Sequence, residues 1–133
     1  MLLVFIVSAL SIMLFYSFLI TISVHKTLDK ENAGKLLRVL FPSYFLVTAI
    51  LSLLALAYSL LADKIIDTIL LSLVFIGSVI SRQYLVPKIN KERDLQISGK
   101  TDSNNSFVKL HGFSVLINFA QVMILIILLI KNL

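Results

Sequence analysis

Residues 107–130 read FVKLHGFSVLINFAQVMILIILLI. A helix of this length reaches about 36 Å, more than the ~30 Å hydrocarbon core of a bilayer. Four polar residues interrupt its first half: His111, Ser114, Asn118 and Gln121, spaced 3, 4 and 3. On a helix those side chains fall within one arc of about 80°. A polar stripe facing lipid is costly, so this one is expected to face protein, a cavity or a ligand. The following run, 122–130, is uninterrupted apolar sequence, and Lys131 marks its far end.

The rest of the chain fits that reading. Of 133 residues, 59% are hydrophobic and only 14% are charged, against about 25% charged in an ordinary soluble domain. Mean hydropathy is +1.00. The absence of Cys excludes disulfides, thiolate metal sites and thiol catalysis. The net charge of +5 sits in short segments between apolar runs. That points to membrane topology and lipid headgroups rather than to nucleic acid.

Three further spans are predicted at about 2–24, 44–62 and 65–86, joined by connections at 25–43 and 87–106. The first is too long, and too free of basic residues at its start, for a signal peptide. Its hydroxyl residues do not share one face. Between the first two spans, Ala33, Leu36, Leu37, Leu40 and Phe41 recur at helical spacing opposite Glu31, Lys35 and Arg38. This predicts an amphipathic helix lying in the interface, capped by Asp29 and ended by Pro42. In the second span Thr48, Ser52, Ala55, Ser59 and Ala62 form a small-residue stripe suited to close helix approach. Asp63 is the expected N-cap of the third span, with Asp67 in its first turn. Gly77 and Ser81 form a small-xxx-small pair with Tyr84 expected on the same side, and Arg82 is expected to snorkel to headgroups. From Pro87, PKINKERDLQI is expected to continue as a short charged helix beyond the membrane. Residues 98–106 read as loop, with two decoys. Gly99-Lys100-Thr101 lacks the earlier glycine of a phosphate-binding loop, and the Asn104-Asn105-Ser106 sequon falls on the wrong side of the membrane.

Ten of the twelve Lys and Arg residues lie in the two long connections and their flanks, from Lys26 to Arg38 and from Arg82 to Lys109. The positive-inside rule then places both connections in the cytoplasm and both termini outside, in an inner or plasma membrane. Phe41, Tyr44, Phe45, Tyr84 and Phe107 would form an aromatic belt at the cytoplasmic boundary. The expected architecture is an all-α, single-domain integral membrane four-helix bundle, antiparallel up-down-up-down.

Catalysis has little to work with. No Asp or Glu lies deep in a span, which removes carboxylate proton relays and paired-carboxylate hydrolysis. His111 and Ser114 lie one turn apart on one helix with no acid to orient the histidine, so no catalytic residue is assigned. The spans do not supply three ligands for a catalytic metal. The stripe then reads either as interhelical hydrogen bonding or as a small-molecule or ion pocket. The first is the plainer explanation. Expected partners are the lipid bilayer and a second copy of the chain or other membrane proteins.

Three elements, in this order, resemble the transmembrane protein 205-like domain family of small four-helix membrane proteins. They are Phe41-Pro42-Ser43-Tyr44-Phe45, then Tyr84-Leu85-Val86-Pro87 with Arg93 after it, then Leu110-His111-Gly112-Phe113-Ser114 with Asn118. The first span departs from the pattern: SALSIMLFYSF stands where members tend to carry a Gly-rich aromatic segment. The resemblance implies a four-helix fold and no established reaction. It marks Pro42, Tyr44, Phe45, Tyr84, Pro87, His111, Ser114 and Asn118. The family is also loosely similar to copper-resistance and porphyrin-handling membrane proteins, which implies haem or copper held by His111 and His25 as an alternative.

Overall fold

The computed structural model describes residues 1–99 and 105–133, and the two decoys of the second connection fall partly outside them. The described residues form four helices: α1 (Leu2–Thr27), α2 (Lys30–Leu61), α3 (Ile65–Ile97) and α4 (Asn105–Asn132). All four are long and apolar enough to cross a membrane. The core runs through all of them, with Ile6, Met13, Leu71, Val74, Leu125 and Leu128 fully buried.

Contacts between helices follow the small residues. Thr48, Ser52, Ala55 and Ser59 are buried on α2. Thr48 Oγ1 lies 3.3 Å from Ser78 Oγ, and Ser59 Oγ lies 2.9 Å from Thr68 Oγ1. Hydroxyls that also bond the preceding turn's carbonyls cost little here and let α2 and α3 approach closely.

The break expected at Pro42 is absent. Pro42 lies inside α2, so the segment expected to lie apart in the interface forms the first turns of one continuous helix. Asp29 caps it as expected, accepting from the N–H groups of Glu31 and Asn32 at 3.2 Å. The Asn32 side chain, together with those N–H groups, holds the Asp29 carboxyl below its usual range. Ala33 and Leu37 are buried against Val24 of α1. Arg82 of α3 donates from Nε to the Pro42 carbonyl at 3.2 Å and ties α3 to α2 beside the proline.

The chain continues helical past Pro87 to Ile97, as expected, and the helix widens just before the proline. Ser81–Leu85 is a π-helical turn in which the Val86 N–H reaches back to the Ser81 carbonyl. A matching π turn, Phe15–Ile20, interrupts α1, and there the Thr21 N–H bonds the Tyr16 carbonyl.

The α2–α3 turn also differs from expectation. Asp63 is not an N-cap; it takes a left-handed conformation with φ 53°. The Lys64 N–H bonds the Ser59 carbonyl at 2.9 Å and the Asp63 N–H bonds that of Leu60 at 3.2 Å. This is a Schellman closure with Asp in the position glycine usually holds. Asp67 is fully buried and accepts from Lys131 Nζ and Asn132 Nδ2, tying α3 to the end of α4.

Candidate functional site

A cavity of about 570 Å³ opens among the four helices at the end where the basic connections meet. That is within the usual range for small-molecule sites. Three of the four stripe residues, His111, Ser114 and Asn118, line it. Gln121 does not. It is buried one turn deeper, where its Nε2 donates to the Val74 carbonyl at 2.7 Å and to Ser78 Oγ at 2.9 Å. The stripe therefore divides into a cavity-lining part and a part that joins α4 to α3.

The apolar end of the cavity is a hydrogen-bonded aromatic cluster. Tyr44 donates to Asn118 Oδ1 at 2.5 Å, and Asn118 Nδ2 donates to Ser17 Oγ at 3.1 Å. The Tyr16 ring stacks on Tyr44 with centroids 4.2 Å apart. Tyr44 and Phe45 are 6% and 2% exposed, so they line the interior rather than an outward-facing aromatic belt. Tyr16 is buried and its hydroxyl has no hydrogen-bond partner among the described residues.

The π turn in α1 explains why Tyr16, Ser17 and Thr21 share this cavity although a regular helical period puts Tyr16 and Thr21 well apart. An i→i+5 turn brings position 21 over position 16, and Thr21 Oγ1 bonds the Tyr16 carbonyl at 3.1 Å. A polar pattern read at 3.6 residues per turn misses them.

The other end of the cavity is basic. Lys30, Arg38 and Arg93 line it together with His25 and His111, and the lining includes no Asp or Glu among the described residues. Arg38 Nη2 pairs with Asp94 Oδ1 at 2.7 Å, leaving its Nε buried without a partner among the described residues. The Arg93 guanidinium lies over the Phe107 ring, 5.2 Å from its centroid, and His111 stacks on the same ring at 5.9 Å. Gly34 makes room for Arg93: a Cβ at position 34 would lie 2.7 Å from Arg93 Nη1. Among the described residues no three His, Cys, Asp or Glu side chains gather as a metal site.

The residues marked by resemblance divide as well. Tyr44, Phe45, His111, Ser114 and Asn118 line the cavity. Pro42 meets Arg82 beside it. Tyr84 and Pro87 are exposed, and the Tyr84 hydroxyl accepts from Lys88 Nζ at 2.8 Å. Arg38, Asn90 and Lys30 were not singled out as site residues, because in sequence they read as a solvated basic connection.

Neither the curated proteins nor the solved structures include a significant match to this chain. Residues 4–97 match the family described as Domain of unknown function (DUF4149), a stretch that holds α1, α2 and α3 up to Ile97. The match covers well over half of the 133 residues, and the chain belongs to that family.

Proposed function

We propose that the protein is a non-enzymatic small-solute handling module of an inner or plasma membrane, with the cavity as its ligand site. On this reading the four helices run up-down-up-down, the basic end of the cavity faces the cytoplasm, and both termini lie outside. The transmembrane protein 205-like naming belongs to the same reading. One observation carries the proposal: a cavity of about 570 Å³ lined by intramembrane polar side chains at one end and by Lys30, Arg38 and Arg93 at the other, with no carboxylate among the described lining residues. Helix packing alone does not require such a space. Native mass spectrometry of the purified protein tests it. A small molecule is expected to co-purify with the wild type and to be depleted in Ser114→Trp, whose indole intrudes into the cavity. An empty wild type, or an equal load in both, would refute the site.

A second reading, a subunit of a larger membrane complex or of a homo-oligomer, is favoured by α4. Only 17% of its most apolar window is buried, against 28–33% for the other three helices. Phe119, Met123 and Ile127 are among its exposed residues. Co-purification with a second copy or another membrane chain supports that reading; a stable monomer counts against it. The haem or copper alternative rests on His25 and His111 lining the same cavity. An absorption spectrum without a Soret band and a metal assay without copper would remove it.

A further inference from the structure

We propose that the ligand is an amphipathic anion: a carboxylate or phosphate head held at Arg93 and Lys30, with an apolar body reaching toward Phe45. The inference rests on the reading of the cavity as a ligand site and adds the class of ligand.

The charge of the lining carries the first part. Three cationic side chains line the cavity with no carboxylate among the described lining residues. Of the three, only Arg38 has an ion-pair partner among the described residues. Arg93 is partly buried, beside a ring that supplies a cation–π contact and no acceptor. A cation taken partly out of water without a counter-charge is costly, and an anion in the cavity offsets that cost.

Unfilled hydrogen bonding carries the second part. The guanidinium and ammonium heads of Arg93 and Lys30 only donate, and no carboxylate among the described lining residues accepts from them. A carboxylate or phosphate supplies several acceptors.

Size and apolarity carry the third part. A free phosphate is only a few times the ~30 Å³ share of a water, and it would leave most of the 570 Å³ unfilled. Leu37, Phe41, Phe45, Val86 and Ile89 supply apolar lining. Such a wall is poorly matched to water and well matched to an acyl or aromatic body. Gly34 fits the same picture, since its missing side chain lets the Arg93 head lie against α2.

The test is equilibrium binding of radiolabelled dodecyl phosphate to the purified protein in phosphatidylcholine nanodiscs. Saturable binding is expected. Dodecanoate should compete; inorganic phosphate and dodecyltrimethylammonium at the same concentration should not. Arg93→Gln with Lys30→Gln should weaken binding at least tenfold, while Arg93→Lys, which keeps the charge and controls for folding, should retain most of it. Replacing part of the phosphatidylcholine with phosphatidylglycerol separates two sources of the same chemistry. Reduced binding assigns the site to a membrane lipid, and unchanged binding to a free amphiphile; either agrees with the proposal. Equal competition by dodecyltrimethylammonium, or full binding by the double Gln variant, overturns it. If Ser114→Trp still abolishes that binding, the cavity remains a solute site and only the anion is wrong. If Ser114→Trp changes nothing, the site itself falls.

Discussion

The Tyr44 hydroxyl donates to Asn118 Oδ1 at 2.5 Å, joining residues 74 positions apart. Asn118 in turn donates to Ser17, so one amide links α1, α2 and α4 beside the cavity. Tyr44→Phe and Asn118→Leu should each lower stability by about 0.5–1.5 kcal/mol. Because they remove the same bond, the double variant should cost clearly less than the sum. A double-mutant cycle of unfolding in mixed micelles measures this, and strict additivity would mean that the bond contributes nothing.

Gln121 uses both of its amide donations on α3, while its Oε1 is buried without a partner among the described residues. Gln121→Leu removes the two bonds and the orphan acceptor together, so it should cost only about 1 kcal/mol. Gln121→Glu places a carboxylate against the Val74 carbonyl and should cost about 2–4 kcal/mol. Equal unfolding midpoints for the two variants at neutral pH would contradict this account.

Gly34 and Gly77 both leave too little room for a Cβ, yet they should respond differently. At Gly77 the obstacle is Gln121 Nε2 at 2.9 Å, an amide pinned by two hydrogen bonds. Gly77→Ala should therefore destabilise by about 1–2 kcal/mol. At Gly34 the obstacle is the far end of a flexible arginine. The gain in helix propensity, about 1 kcal/mol, should offset the shift, leaving Gly34→Ala near neutral while it moves Arg93. Thermal unfolding in detergent that ranks the two the other way would refute the contrast.

The Asp67 carboxylate is fully buried, whereas the Lys131 side chain is 44% exposed. Lys131→Met leaves a buried charge short of its counter-ion and should cost about 1–3 kcal/mol, less than for a wholly buried pair. Adding Asp67→Leu removes the stranded charge and should recover part of the loss. A double variant less stable than Lys131→Met alone would argue against the pair.

Asp63 holds a left-handed conformation that glycine adopts at lower cost. Asp63→Gly should raise stability by up to about 1 kcal/mol, and Asp63→Val should lower it. Both are read from unfolding midpoints.

Much of the framework was legible in the chain itself. Runs of apolar residues long enough to cross a bilayer have few alternative structures, since backbone polar groups in lipid must bond within their own helix. The count of helices, the Asp29 cap and the buried small-residue face of α2 follow from local chemistry. So does the stripe on α4, whose first three residues reach the cavity. Tertiary structure decided the rest. Pro42 was expected to end the interfacial segment; in the fold it lies inside α2, a continuity that the proline itself does not encode. The π turn of α1 realigned Tyr16 with Thr21, which no 3.6-residue pattern predicts. The cavity depends on side chains from all four helices, from Tyr16 to Asn118, that meet only when the helices pack. The stretch at 107–130 thus fixed what kind of molecule this is, because its length and polarity act locally. Packing determined that His111, Ser114 and Asn118 face a basic cavity while Gln121 turns into the core.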